Sequence, residues 1–155
     1  MRKFAPLALV FCMLLGTFAL SSCNLDHKED EFYSLVSEAK DVLDAVAEDI
    51  YSYWYDCIYK DKYNRNISDA IDAALKANEE NIYTISKNTA KIRTLYKEVK
   101  KGKLHADAKT VMLAYNDYYT LVLEDRGSFE TYSENLALCK KEFAVAMYSF
   151  RIELD

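Results

Sequence analysis

The sequence predicts an all-α protein, and three observations support that prediction. The chain has 155 residues, and after residue 22 it contains no proline and only two glycines, Gly102 and Gly127. Apolar residues recur there at alternating steps of three and four, which places them on one face of an α-helix. A few polar breaks divide this pattern into four segments joined by short turns. The simplest packing is an antiparallel four-helix bundle, and a three-helix bundle with one kinked long helix is the alternative.

Residues 1–22 have the features of a cleaved signal peptide. Met1-Arg2-Lys3 is positively charged, and a mostly apolar stretch from Phe4 to Leu20 follows it. That stretch is shorter than the roughly 20 residues that comfortably span a bilayer, and small residues come after it. We therefore expect residues 1–22 to be removed. The remaining chain is long enough for one domain with its own core, over residues 30–155.

The stretch Leu20-Ser21-Ser22-Cys23 resembles the lipobox of bacterial lipoproteins. The resemblance implies that the Cys23 thiol receives a diacylglycerol and that the signal is cut immediately before this residue. Residues 23–29 would then form a lipidated tether, and the acyl chains would hold the protein on a membrane. The implied location is extracytoplasmic, on the outer face of the cytoplasmic membrane or on the outer membrane. An ordinary signal peptide with a chance cysteine near its end is the alternative.

The first helix is predicted from about Asp30 to Lys62. It includes the stretch YSYWYDCIY, residues 51–59, whose tyrosines alternate as they would in a strand. No breaker separates this stretch from the helical pattern before it, however. A lone strand would leave its backbone groups unpaired, whereas a continued helix satisfies them locally. We therefore predict helix throughout.

The second helix is predicted to follow a turn at residues 63–66, with Asn66 as its N-cap, and to end before Gly102. Two polar residues, Asn78 and Thr89, lie on its otherwise apolar face. Such residues can fix the register of a bundle. We expect instead that both lie at a solvent-facing edge.

Two further helices complete the pattern. Asp107 is the predicted N-cap of the third, and Ser128, which follows Gly127, is the predicted N-cap of the fourth. Their apolar faces recur every three or four residues. In the third helix this face contains Val111, Tyr115, Tyr118 and Val122, and in the fourth it contains Phe129, Tyr132, Leu136, Cys139, Phe143, Ala146 and Phe150.

Two cysteines, Cys57 and Cys139, remain once Cys12 leaves with the signal and Cys23 is lipidated. Both lie on predicted core faces, in the first and fourth helices. A disulfide between them suits an oxidising compartment, and two buried free thiols that act as small apolar residues fit equally well.

Charge and motif content exclude several functions. The chain after residue 22 has 18 basic and 25 acidic side chains, which argues against nucleic-acid binding. The motifs of di-iron bundles, covalent haem and phosphate-binding loops do not occur, so no cofactor is expected. Most acids occupy the polar faces of helices, where solvation explains them. We expect a protein that is not an enzyme, and a hydrolase of envelope polymers is the least favoured hypothesis.

The aromatic residues are the candidate contacts. Tyrosines at steps of four drift from the core face of the first helix onto its flank, where they either close the side of the bundle or form a binding patch. Exposure of Tyr55, Tyr59 and Tyr63 together would favour a patch. The candidate partner or ligand contacts are Tyr51, Trp54, Tyr55, Tyr59, Tyr63, Tyr115 and Tyr119.

These observations favour a membrane-anchored, non-catalytic binding module at the cell envelope, whose partner is an unidentified envelope protein. A carrier that encloses a hydrophobic small molecule in the bundle core is the alternative. A continuous cavity beside Trp54, Tyr115 and Tyr118 would favour the carrier. A filled core with exposed tyrosines would favour the binding module.

Overall fold

The all-α prediction is confirmed. A computed structural model describes residues 5–124 and 127–154, with side chains from His27 onward, and this part of the chain contains five α-helices, one short 3-10 helix and no strand. The α-helices are α1 (Ala5–Tyr59), α2 (Ile67–Ala77), α3 (Glu79–Val99), α4 (His105–Leu123) and α5 (Phe129–Leu154), and the 3-10 helix covers Lys62–Arg65.

The first helix is longer than predicted. It begins at Ala5 instead of near Asp30, and it ends at Tyr59 instead of Lys62. The stretch YSYWYDCIY is helical, as predicted. The backbone of residues 23–29, the predicted tether, is a continuation of α1, and Glu29 is already buried. The side chain of Cys23 lies outside the described residues.

Two of the three predicted N-caps are confirmed. The Asn66 side chain accepts hydrogen bonds from the backbone amides of Ser68 (3.0 Å) and Asp69 (3.4 Å). Ser128 Oγ accepts from the Thr131 amide at 3.1 Å. The prediction for Asp107 is wrong, because α4 begins two residues earlier and Asp107 lies in its first turn. A carboxylate there still interacts favourably with the positive end of the helix dipole.

The predicted second helix is divided at Asn78, whose φ of −110° and ψ of 19° separate α2 from α3. Asn78 Nδ2 donates to Asp49 Oδ2 on α1 (2.8 Å) and to the Ala74 carbonyl (3.0 Å), and its Oδ1 accepts from Asn81 (2.8 Å). The expectation that Asn78 and Thr89 face solvent is wrong, since both are buried. Burial is tolerated because these polar atoms have partners inside the protein.

The helices pack on one another around α1. Helix α1 contacts each of the other four, and α4 also packs against α3 and α5. The Phe32 ring, near the start of the packed part of α1, lies 6.3 Å from the Tyr96 ring late in α3 and 5.6 Å from the Phe150 ring late in α5. At the other end, Trp54 of α1 lies 5.7 Å from Phe129, the first residue of α5. Helices α3 and α5 are therefore antiparallel to α1.

Three fully buried tyrosines, Tyr115, Tyr118 and Tyr132, form the centre of the core, and we call them the interior tyrosines. The hydroxyls of two of them reach α1. Tyr118 donates to Asp44 Oδ1 at 2.5 Å, and Tyr132 donates to the Ala47 carbonyl at 3.1 Å. These bonds fix the positions of α4 and α5 along α1, because a buried hydroxyl without a partner costs free energy.

The third interior tyrosine connects α4 to α3. Thr89 Oγ1 donates its proton to the Ile85 carbonyl at 2.7 Å, and it lies 2.6 Å from the Tyr115 hydroxyl. Since a threonine hydroxyl has one proton, Tyr115 is the donor in this pair. Burial raises the pKa of Tyr115 and outweighs the opposing effect of Thr89, so this hydroxyl stays protonated.

Candidate interaction surfaces

One group of predicted contact residues lies together on the surface, at the end of the molecule where α1 stops and α5 begins. It consists of Tyr51, Tyr55 and Tyr59 of α1 with Phe129 of α5, and we call it the aromatic patch. The tyrosines are exposed by 37%, 38% and 62%. The Phe129 ring centroid is 5.1 Å from that of Tyr51, 6.3 Å from that of Tyr55 and 6.1 Å from that of Tyr59.

The local sequence explains why these rings meet. Steps of four along α1 place the three tyrosines in one row, and adjacent rings in that row are 6.3 Å and 4.6 Å apart. The Ser128 cap starts α5 in the position that brings Phe129 against this row. Beneath the patch, Trp54 is buried, and its indole N–H has no hydrogen-bond partner among the described residues.

Charged groups border the aromatic patch on one side. Lys60 Nζ lies 5.6 Å from the centroid of the Tyr55 ring and 2.7 Å from Asp56 Oδ1. Lys62 Nζ binds the other oxygen of Asp56 at 2.6 Å. Hydrogen bonds from the two lysines lower the pKa of the Asp56 carboxyl, so it stays ionised. This border therefore combines two cations with one anion next to the rings.

The remaining predicted aromatic contacts lie elsewhere. Tyr63 is half-buried and stacks on Tyr53, with ring centroids 5.6 Å apart. The joint exposure of Tyr55, Tyr59 and Tyr63, which would have favoured a patch, is therefore not observed, and the backbone of Tyr63 is left-handed (φ 56°). Tyr115 is an interior residue, and Tyr119 is half-buried beside it. Three of the seven candidates, Tyr51, Tyr55 and Tyr59, are thus surface residues that lie together.

The structure does not form the disulfide considered for Cys57 and Cys139. Both are free thiols, Cys57 buried and Cys139 half-buried. Lys140 Nζ binds Glu48 Oε1 at 2.9 Å, which places this part of α5 beside Glu48. Cys57 is nine residues further along α1, roughly 13 Å away at the α-helical rise, whereas bridged Cα atoms lie within about 7 Å. Burial, with the nearby carboxylates of Asp117 and Glu142, raises the pKa of the Cys139 thiol.

The core is filled at the place where a carrier would need a cavity. Trp54, Tyr115 and Tyr118 are exposed by 3%, 0% and 0%. Trp54 packs on Tyr132 (5.7 Å between ring centroids), and Tyr115 and Tyr118 pack on Phe143 (6.1 and 6.3 Å). Open grooves lie on the outside instead. One, of about 610 Å³, lies between α1 and α3 beside Leu35 and Leu95. Another, of about 360 Å³, lies between α4 and α5.

A second apolar surface was missed by the sequence analysis. Four residues of α5, Leu138, Val145, Tyr148 and Ile152, are exposed by 50%, 58%, 68% and 52%, and we call them the outer stripe. At 100° per residue they lie on the face of α5 opposite its buried side. The signal in the sequence is the seven-residue spacing of Leu138, Val145 and Ile152. It was overlooked because only the inward-facing pattern of this helix was traced.

Three further findings concern the described residues and known proteins. No group of three or more His, Cys, Asp or Glu side chains in the described part of the chain is arranged to hold a metal ion. None of the described helices combines the length and the apolar character needed to cross a bilayer. Comparison with protein-family models, with curated proteins and with solved structures finds no match.

Proposed function

We propose that this protein is a lipid-anchored lipoprotein of the bacterial cell envelope, and that its antiparallel four-helix bundle is a non-catalytic binding module. The aromatic patch is the contact surface for an envelope protein. The observation that supports this proposal is the exposure of three adjacent tyrosines around Phe129. Contiguous aromatic surface is uncommon on monomers, and tyrosine is enriched where protein partners bind.

The length of α1 suits this role. It connects Cys23, the proposed acylation site, with the patch through one continuous helix. Tyr55 lies 32 positions after Cys23, which corresponds to roughly 48 Å at the α-helical rise. An anchor at one end therefore presents the patch at the other end, away from the lipid. Confinement to one membrane also raises the effective concentration of a membrane-bound partner.

Trp54 adds a polar component to the patch. Its buried N–H lacks an acceptor among the described residues, and a buried donor without a partner costs about 1–3 kcal/mol. A partner that brings an acceptor to this donor gains that free energy on binding. The site can therefore combine aromatic packing with one directional hydrogen bond.

Two carboxyl groups, those of Asp44 and Asp56, are unsuited to general-acid catalysis. A general acid for glycan hydrolysis needs a carboxyl pKa above the usual range. The pKa values of Asp44 and Asp56 are instead lowered. For Asp44, partial burial opposes ionisation, but hydrogen bonds from Lys40 and Tyr118 and the charge of Lys140 outweigh it. Both carboxylates therefore stay ionised and bind neighbouring side chains of the protein.

The carrier alternative has less support. Its guest would have to displace Trp54, Tyr115 or Tyr118, and two of these have hydroxyls bonded to other helices. The open grooves on the outside bury too little of a small ligand for tight binding.

The anchor is tested by growth with radiolabelled palmitate. The wild-type chain is expected to carry the label and to fractionate with membranes, and Cys23→Ser is expected to lose both properties. Absence of label from the wild-type chain would contradict the anchor.

The contact surface is tested by a photo-reactive amino acid placed at position 59 of the membrane-bound protein. The matched control places it at position 83, because Tyr83 on α3 is exposed by 72% and lies outside the aromatic patch. We expect one discrete adduct with an envelope protein from position 59, lost when Tyr55 is replaced by alanine, and none from position 83. The same adducts from both positions, or none from position 59, would contradict the proposal.

A further inference from the structure

Helix α5 has apolar residues on two opposite faces. Its inner face is buried in the core through residues that include Tyr132, Phe143 and Phe150. On its opposite face the outer stripe extends over 15 residues, roughly 21 Å of helix. A helix that is apolar on both faces is normally covered on both. Among the described residues of the single chain, only the inner face of α5 is covered.

The groove between α4 and α5 continues the outer stripe. Its walls include Leu113 and Ala114 of α4 with Val145 and Ala146 of α5, and Leu113 is exposed by 55%. This surface therefore presents a ridge, the outer stripe, next to an apolar groove of about 360 Å³. A two-fold interface uses the same patch on both copies, so a continuous apolar surface of this kind can pair with itself.

The charges near this surface also favour self-association. The whole chain has a net charge of −5, so copies repel each other on average. Helix α5 is close to balanced, with four acidic and three basic side chains. The walls of the groove include Lys141 and Glu142 of α5 and Asp117 of α4. A mixed-sign surface of this kind permits a second copy to approach, whereas a uniformly acidic one would repel it.

We propose that the outer stripe is a homodimer interface in which α5 of one copy packs parallel to α5 of a second copy. The parallel direction rests on the proposed lipid anchor. The end of α5 at Phe150 lies beside the start of the packed part of α1 at Phe32, 5.6 Å between ring centroids. Both copies must direct that end toward the same membrane, so the two-fold axis is normal to the membrane.

Parallel pairing gives each residue of the outer stripe a defined neighbour. Residues at steps of seven, three and four stack on their own counterparts, as the a and d positions of a parallel coiled coil do. Val145 then packs on Val145 of the second copy, and Ile152 on Ile152. The β-branched side chains of Val145 and Ile152 are typical of the a positions of two-stranded coiled coils. The four exposed side chains with Leu113 supply on the order of 500 Å² per copy, which is more than half of the roughly 800 Å² per partner of a standard interface.

Sedimentation equilibrium of the full acylated chain in detergent tests the dimer. Wild-type protein is expected to be dimeric, and Val145→Glu is expected to weaken association at least 100-fold, because it places two carboxylates against each other in an apolar layer. Tyr83→Glu is the matched control, at an α3 position exposed by 72%, and should leave association unchanged. Circular dichroism of each variant confirms its helical fold.

Three results would overturn the dimer: a monomeric wild-type protein, a Val145→Glu protein as dimeric as wild type, or equal weakening by Tyr83→Glu. If the wild-type protein is monomeric and Val145→Glu reduces its binding to phospholipid vesicles, the outer stripe is a lipid-binding surface.

Oxidative cross-linking tests the direction of pairing. In a parallel dimer, both Leu138→Cys and Ile152→Cys are expected to form disulfide-linked dimers, because each thiol faces its own counterpart. In an antiparallel pair these positions face each other, and only a mixture of the two variants would cross-link. The wild-type chain, with Cys57 and Cys139, gives the background. Adduct formation from position 59 is independent of these measurements, so failure of the dimer and failure of the proposed function are distinguishable.

Discussion

The interior tyrosines and the tyrosines of the aromatic patch have the same side chain in two different environments. Each interior hydroxyl donates to an acceptor on another helix, and each ring is fully buried. The patch tyrosines are more than one-third exposed, and their rings contact one another and Phe129. A tyrosine can therefore enter the core where a neighbouring helix offers an acceptor for its hydroxyl, and it stays at the surface where none is offered.

The largest expected effect is the loss of an interior ring. Tyr118→Ala or Tyr132→Ala removes a fully buried aromatic side chain and leaves a cavity, which costs about 3–5 kcal/mol of the free energy of unfolding. Urea denaturation followed by circular dichroism measures this change. Tyr83→Ala is the control and should change the free energy of unfolding by less than about 0.5 kcal/mol. Similar values for all three variants would show that burial does not distinguish these tyrosines.

Removal of an interior hydroxyl alone has a smaller effect on stability. The size of that effect should depend on whether the acceptor is charged or neutral. Tyr118→Phe loses a hydrogen bond to the ionised Asp44 and is expected to cost about 1.5–3 kcal/mol. Tyr132→Phe loses a longer bond to the neutral Ala47 carbonyl and is expected to cost about 0.5–1.5 kcal/mol. The reverse order in urea denaturation would contradict the role given to Asp44.

The pH dependence of stability provides an independent test of the same pair. The pKa of Asp44 is lowered in the folded protein from its usual value of 3.8, so the unfolded chain takes up this proton first as the pH falls. The stabilisation from Asp44 is complete above about pH 5 and is lost as the pH falls through about 4 and below. The difference in free energy of unfolding between wild-type protein and Asp44→Asn should therefore decrease from pH 6 toward pH 3. A difference that is constant with pH would exclude this linkage.

The smallest effect on stability is expected in the aromatic patch. Tyr59→Ala removes the most exposed ring of the patch, and its cost should be below about 0.5 kcal/mol. The same substitution should abolish the photo-induced adduct formed from a reactive group at position 55. A large loss of stability with unchanged adduct formation would show that Tyr59 stabilises the bundle and does not contact a partner.

Local periodicity and capping chemistry allowed much of the fold to be predicted. The spacing along Tyr51–Tyr59 correctly predicted a helix with three tyrosines on its flank, and Asn66 and Ser128 correctly marked two helix starts. The break at Asn78 was not predictable, because its acceptor Asp49 is 29 residues away in the chain. Which tyrosines enter the core depends on similarly distant acceptors, 74 residues away for Tyr118 and 85 for Tyr132.

The most direct test of the division between the two groups of tyrosines is their rate of nitration by tetranitromethane in the native protein, measured for each residue by mass spectrometry. We expect Tyr59 to react rapidly, Tyr51 and Tyr55 more slowly, and Tyr115, Tyr118 and Tyr132 to react only after denaturation. Reaction of Tyr118 or Tyr132 at the rate of Tyr59 in the native protein would contradict the account.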